Sequence, residues 1–397
     1  MPTESKVPRT LTGGVLFLLA ALAALGALAT NIILPAFPAM SADLGASVRD
    51  LGATLSSFFL TFALGQLFVG PLSDRFGRQR LVLIGLAVFI IGSLVCAAAS
   101  TLPQLIGGRV VQALGVCATS VLSRAIARDL FEGQELARAL SLTMVAMAAA
   151  PGFSPLLGST LESLFGWRSS FFVISALAFA LAGAYFTKLG ETHAPGQRSA
   201  LSLVEVAAGY KQLAFDRRLT APALAVSLVI GALYAFFSMA PAILITGFRL
   251  SPLTFGLFFA STTFVVFGSG VLAPRLARMW GPVVAARAGV AVALVGSAAM
   301  LFGRADFASF SVSLTIFLFG MGIFNPLGTA IALQPFAQQA GAASALLGFL
   351  QMGCAALAIT FGGMLALPMY TALGVVLFTS LLAAFLCFWS IRVATGT

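Results

Sequence analysis

The stretch "GPLSDRFGRQR", Gly70 to Arg80, decides how the whole chain is read. Asp74, Arg75, Arg78 and Arg80 crowd together here, in a 397-residue protein of which only 9% is charged. The flanking runs Thr54–Val69 and Leu81–Ala99 contain no charge at all. Each run is long enough to cross a hydrocarbon core of about 30 Å as a helix. The burst of charge between them is either a plain connector at a membrane face or a working part, and the rest of the sequence decides which.

Hydrophobic residues make up 60% of the chain and the mean hydropathy is +1.04. Soluble domains are nearly half apolar and about a quarter charged. Backbone groups in lipid must pair internally, which leaves helices or a closed barrel. The strict in–out alternation of barrel strands is absent. The reading is an all-α polytopic membrane protein with about 12 transmembrane helices. The first six spans are expected near Leu11–Leu34, Leu51–Pro71, Leu81–Ala99, Leu105–Ile126, Ala139–Leu161 and Ser170–Leu189. The second six follow near Leu219–Ile245, Pro252–Pro274, Val284–Phe302, Ala308–Pro335, Ala342–Ala366 and Met369–Ile391. The first span is too long for a cleavable signal peptide, and "LPAFP" after it offers no small-residue cleavage site.

Under this topology Lys6, Arg9, Arg75, Arg78, Arg80, Arg124, Arg128, Arg138, Lys188, Arg198, Lys211, Arg217, Arg218, Arg275, Arg278, Arg287 and Arg392 share one face. The other face carries only Arg49, Arg168, Arg249 and Arg304, while Arg109 falls inside a span. Basic loops stay cytoplasmic, so both termini of this multi-pass protein are expected inside. The net charge of +10 then reflects topology and contact with anionic lipid headgroups, not nucleic-acid binding, because the charges sit in short separated loops. Cys96, Cys117, Cys354 and Cys387 lie in apolar spans without CxxC spacing, and His193 is the one histidine. No metal or other cofactor is expected.

The longest polar interval, between Leu189 and Leu219, divides the spans six and six. The expected organisation is a bundle over 1–189, a cytoplasmic linker over 190–218 and a second bundle over 219–397. Within the linker, Ser202–Phe215 reads either as a plain connector or as an amphipathic helix with Leu201, Val204, Ala208 and Leu213 toward lipid. "GPLSDRFGR" at Gly70–Arg78 echoes "GVLAPRLAR" at Gly270–Arg278. Two related bundles would place a substrate site between them near mid-membrane.

These residues carry a family resemblance. "GQLFVGPLSDRFGRQR" resembles the signature loop between helices two and three of the major facilitator superfamily. The resemblance implies that fold and a cytoplasmic gate made of Gly70, Asp74, Arg75, Gly77 and Arg78. In such a gate Gly70 and Gly77 allow close backbone approach and a sharp turn. Asp74 would pair with arginine to hold the two bundles together while the transporter opens outward. "LIGGRVVQALGV", Leu105–Val116, resembles the fourth-helix segment of proton-coupled members, with Ala113 where a glycine is usual. Arg109 and Gln112 are three apart and share a helix face. A guanidinium inside a span faces a wet cavity or a partner, or else snorkels to the interface. "AMAAAPGFSPLLGSTL", Ala146–Leu161, resembles the antiporter element of the fifth helix, with Pro151, Gly152, Pro155 and Gly158 supplying a bend and close contact across the halves. "LPAFPAMSADLG", "SRAIARDLFEG" and "FGWRSSFFVISAL" are similar to the bicyclomycin- and chloramphenicol-resistance (Bcr/CflA-like) branch of drug:proton antiporters.

One position departs from that branch, where an acid usually precedes the L-P-x-x-P phrase. Here the matching residue is Asn31, and all twelve acids of the chain lie in loops, tails or span edges. Proton coupling needs a group that changes charge between access states, usually a buried carboxylate. Asp50 beside Arg49 could carry the proton, the substrate could bring the charge, or the protein could be an uncoupled facilitator. Lipophilic cations would want a buried anion, so the expected cargo is a neutral or anionic amphiphile. Candidate cavity residues are Asn31, Arg109, Gln112, Tyr234, Phe237, Met239, Asn325 and Gln351, with Asp50 and Arg109 as coupling candidates. Ala20, Ala24, Ala27 and Asn31 form a small-residue stripe that leaves room for a ligand or a neighbouring helix.

The expected function is therefore multidrug or small-molecule efflux by alternating access, with phenicol- or bicyclomycin-like cargo and protons as partners, and with an endogenous-metabolite exporter or uncoupled facilitator as the alternative. No catalytic constellation lies at membrane depth, which argues against an enzyme. Each chain holds a whole transport path, so a monomer suffices.

Overall fold

The computed structural model describes residues 12–193 and 203–390. Among them are 12 helices long and apolar enough to cross a membrane. α1 (Gly13–Asn31) passes through a 3-10 turn at Leu34–Ala36 into α2 (Phe37–Leu44), and the three together form the first span. α3 (Gly52–Phe76), α4 (Arg78–Ala98), α5 (Leu102–Leu130), α6 (Gly133–Phe165) and α7 (Arg168–Lys188) complete the first six. A short helix, α8 (Leu203–Phe215), leads to α9 (Arg217–Ala240), which ends in a π turn at Pro241–Gly247. α10 (Pro252–Trp280), α11 (Pro282–Phe302), α12 (Phe307–Leu333), α13 (Ala340–Met364) and α14 (Met369–Trp389) complete the second six.

Local chemistry sets the ends of these helices. The side chains of Thr12, Thr101, Asp216, Ser251 and Asp306 accept from backbone N–H groups in the first turns of α1, α5, α9, α10 and α12, which satisfies donors a helix start leaves open. At the α3–α4 and α10–α11 corners the chain turns on Gly77 (φ 95°, ψ 154°) and Gly281 (φ 81°, ψ 153°), a region that side chains with a Cβ avoid. The matching corners express the internal repeat, but in a different register from the one the sequence suggests. Arg78 opens α4 after its corner glycine, whereas Arg278 lies in the last turn of α10 before the corner. The aligned arginines are therefore not equivalent, because α10 at 29 residues runs one turn longer than α3 at 25.

Lipid gives helices little hydrophobic reason to associate, so close packing at small residues does the work. A Cβ on Gly92 would lie 2.3 Å from the Gln112 nitrogen, and one on Gly115 would lie 2.3 Å from the Phe89 nitrogen, so α4 and α5 meet backbone to backbone. The second half repeats the device: Gly296 faces the Phe317 nitrogen at 2.4 Å and Gly320 the Ala293 nitrogen at 2.3 Å, locking α11 to α12. On the outside of the bundle, Phe172, Phe179 and Phe186 follow at two-turn spacing on α7, all exposed toward lipid.

Across the halves α3 packs on α13 and α6 on α10. At the end away from the arginine-rich face, the Leu34–Ala36 turn and α2 meet the Pro241–Gly247 turn. At the arginine-rich end α5 and α12 are not packed on each other. The interface is thus continuous at one end and opened between α5 and α12 at the other, where α3 still meets α8 through the Tyr210 hydroxyl on the Leu67 carbonyl. α8 is a helix, but Leu213 is not lipid-facing: it is 2% exposed, buried against Leu219, Ala223, Ala332 and Ala343. Ala208 is exposed. The helix therefore docks its Leu213 edge on the second half instead of on lipid. Leu201, the side chain of Val204 and the linker residues 194–202 lie outside what is described.

Candidate functional site

α1 is flanked in its own half by α5, α6 and α7, and α9 by α12, α13 and α14, so the remaining side of each looks toward the other half. Along α1 that open side carries exposed Phe17 and half-buried Ala21, Ala24, Ala27 and Leu28. Along α9 it carries Leu224, Leu228 and Tyr234. The result is an apolar cleft that opens at the arginine-rich end. Tyr234 lies on Phe59 across the halves, ring centroids 4.3 Å apart, and meets Phe237 edge-on at 5.6 Å. These rings form the roof of the cleft.

The candidate residues divide into those at the cleft and those beneath its wall. Ala24, Ala27 and Tyr234 are on the open side, while Asn325 and Gln351 are half-buried on α12 and α13. The Asn325 Oδ1 is buried without a partner. Ala20, Asn31, Phe237 and Met239 are buried, so only the middle of the expected alanine stripe is accessible. Asn31 donates its amide to the Ala27 carbonyl at 2.8 Å and to Thr30 Oγ1 at 3.0 Å, both on its own helix.

Arg109 neither snorkels to an interface nor faces an open cavity. It is fully buried, with its guanidinium 4.4 Å from the Phe58 ring centroid and Nη1 donating to the Ala29 carbonyl at 3.2 Å. The same nitrogen donates to Gln112 Oε1, and Gln112 passes the chain on to Ser93 Oγ at 2.7 Å. The spacing of Arg109 and Gln112 on one helix face makes this relay possible. Arg109 Nε and Nη2 have no partner. Among the described residues no Asp or Glu is buried, so the cation has no buried counter-ion. Asp50 is exposed at the closed end, where its carboxylate accepts from the Ser47 backbone and hydroxyl.

The charge cluster at the α3–α4 corner, expected to latch the bundles when the transporter opens outward, makes its bonds on one side of the interface in this state. Arg78 pairs with Asp74 at 2.5 Å and with Asp129 at the end of α5 at 3.1 Å. Its backbone nitrogen donates to Glu191 Oε1 at 2.9 Å, beyond α7. Asp74 and Asp129 belong to the first half and Glu191 to the chain just after it. With the interface opened between α5 and α12 at this end, the second half is out of reach, and the cluster ties α3, α4, α5 and the chain after α7 together. Arg75 is exposed over the Phe76 ring. Gly77 makes the turn, but a Cβ on Gly70 would meet nothing within 4 Å, so no close approach depends on Gly70 here.

In the fifth-helix element one glycine packs across the halves and the other within its own half. Pro151 and Pro155 lie inside α6. A Cβ on Gly152 would sit 1.4 Å from Thr263 Oγ1 of α10, and one on Gly158 would sit 1.8 Å from the Ile32 carbonyl oxygen. Gly256 of α10 answers by packing on Leu156 of α6. Sequence reasoning passed over Gln66, whose side chain rests on Gly348 of α13 across the halves. An amide in an otherwise apolar face of α3 was the available signal. Among the described residues no three His, Cys, Asp or Glu side chains gather as a metal ion would require.

Comparison with known proteins agrees with this architecture. The model of the Major Facilitator Superfamily matches residues 19–359. Multidrug resistance protein D of Escherichia coli is 28% identical over 85% of both chains. The bicyclomycin resistance protein homolog of Haemophilus influenzae is 28% identical over 82% of this chain and 83% of its own. An uncharacterized MFS-type transporter of Bacillus subtilis, YdgK, is 30% identical over 85% of both. Among solved structures, the nucleoside transporter NupG superposes with a TM-score of 0.72 at 14% identity, covering 95% of this chain and 98% of its own. A bacterial homolog of the lysosomal transporter Spinster, in an inward-facing conformation, gives 0.70 at 15% identity over 94% of both. With twelve spans in two sets of six, an apolar cleft between them and the signature corner at Gly77, this chain is a multi-pass membrane transporter, not an enzyme, and belongs to the Major Facilitator Superfamily.

Proposed function

We propose that the protein exports small amphiphilic compounds, neutral or anionic and of phenicol- or bicyclomycin-like character, from the cytoplasm across a bacterial inner membrane. The observation that carries this reading is the match, over more than four-fifths of both chains, to proteins named for multidrug and bicyclomycin resistance. The charge distribution supports the cargo class. The cleft wall is apolar, no described acid is buried, and the buried charge beneath it at Arg109 is positive. A permanent cation would meet no buried carboxylate there. The basic face is cytoplasmic by the positive-inside rule, which puts both termini inside and makes the present state inward-open.

Expression in an efflux-deficient host, challenged with a phenicol, bicyclomycin and tetraphenylphosphonium, tests the reading. Resistance to the neutral drugs is expected, and strong efflux of tetraphenylphosphonium refutes the charge argument. A second reading, an uncoupled facilitator or an exporter of an endogenous metabolite, is favoured by Asn31, which cannot titrate and is bonded to its own helix. A pH jump across proteoliposomes separates the two. An antiporter concentrates substrate against its gradient when protons flow back, whereas a facilitator only equilibrates it.

A further inference from the structure

We infer that Arg49 is the latch of the closed end of the cleft, a positioning residue for the change between access states. Arg49 stands on the turn between α2 and α3. Its Nη1 donates to the carbonyl of Leu365 and its Nη2 to the carbonyl of Leu367, both in the connection between α13 and α14. Arg49 thereby hydrogen-bonds across the halves at this end, while toward the other end Tyr210 of α8 donates to the Leu67 carbonyl of α3 at 3.1 Å.

Three features make this a built contact. The first is its base: Asp50 accepts from the nitrogen and hydroxyl of Ser47, and the Gly52 and Ala53 nitrogens donate to the Arg49 and Asp50 carbonyls. The turn that presents Arg49 is therefore fixed before the arginine reaches across. The second is its target. Leu365 caps the end of α13, where the helix carries partial negative charge that favours a cation, and the Leu367 carbonyl lies two residues further along the connection. The planar fork matches two carbonyls at once, which an ammonium cannot do. The third is the seam below. A Cβ on Gly52 would lie 3.0 Å from Ser238 Oγ of α9 and 3.7 Å from Ile359 of α13, so the halves are in contact directly under the clamp. Parting the halves at this end must break both Arg49 bonds. The cluster around Arg78 does not do this task here, since its partners lie in the first half and the chain just after α7. At this end backbone carbonyls receive the arginine.

The inference rests on alternating access alone and not on the cargo. Its test needs no substrate. In full-length protein with Cys96, Cys117, Cys354 and Cys387 replaced by alanine, spin labels at Ala42→Cys on α2 and Leu253→Cys on α10, both exposed positions, report the separation of the closed ends by double electron–electron resonance. Arg49→Ala is expected to raise the ratio of the long-distance to the short-distance population by about tenfold or more, since two charge-assisted bonds are lost. Arg49→Lys, which keeps the charge without the fork, is expected to fall between, and serves if the alanine variant does not fold. Arg304→Ala removes an exposed arginine away from the seam and is expected to leave the distribution unchanged. An unchanged distribution in Arg49→Ala overturns the inference, as does an equal shift in Arg304→Ala. Failure of the drug-resistance assay would leave these distances untouched, so the two readings fail separately.

Discussion

Substituting Gly158 by alanine gives a prediction whose size follows from the backbone. The new methyl would sit 1.8 Å from the Ile32 carbonyl oxygen, 2.8 Å from its carbonyl carbon and 3.3 Å from its Cα. All three are backbone atoms at the junction of α1 with the Leu34–Ala36 turn, so no rotamer change relieves the clash. Cβ contacts below 3.0 Å essentially never occur, so α6 and α1 must part by about 1.2 Å. Overpacking of this kind costs about 1–3 kcal/mol, and a clash between two backbones belongs at the upper end. The displaced turn also carries the contacts that close the cleft against α9 and α10. Thermal unfolding of the purified protein in detergent reads the cost as a fall of several degrees. Gly70→Ala is the control of opposite sign. Its methyl meets nothing within 4 Å, and alanine is better than glycine inside a helix by about 0.5–1 kcal/mol. If Gly158→Ala melts at the parent temperature, the close-packing argument for the fifth-helix element is wrong.

Two more outcomes follow. Arg109→Met removes a buried cation with two unpartnered nitrogens. Losing the unpaired buried charge relieves a desolvation cost, while Gln112 Oε1 loses its donor at a cost of about 1–3 kcal/mol, so the unfolding temperature is expected to hold. A marked fall would make Arg109 a structural residue. Asp306, outside the spans, is held below its ordinary pKa of 3.8, chiefly by the Ser309 backbone N–H. Its folded pKa is depressed, so its contribution is present above 3.8 and is lost as pH falls through the lower folded value. Asp306→Asn is expected to flatten that part of a pH-dependent unfolding curve, and an unchanged acid limb refutes the assignment.

Much of this was legible in the residues. Twelve apolar runs became twelve spans, with ends shifted by up to ten residues where the first span continues through the Leu34–Ala36 turn to Leu44, because length and hydropathy are properties of the chain itself. In α6 the sequence pointed to close contact at its glycines but not to which neighbour each meets, since Gly152 packs on α10 and Gly158 on Ile32 of its own half. The site was less legible. Arg109 looked like a cavity residue because a charge in a span demands an explanation, yet periodicity gives a face and not what covers it, and Phe58 and α1 cover this one.

The sequence by itself determined the membrane, the span count, the basic face and the want of a buried acid, all of which are sums over residue types along the chain. Only the tertiary structure decided which end is shut, that the Arg78 cluster stays on one side of the interface, and that Arg49 crosses to the other. Those facts depend on contacts between residues up to 318 positions apart, and no local pattern encodes how far two rigid halves are rotated about their seam.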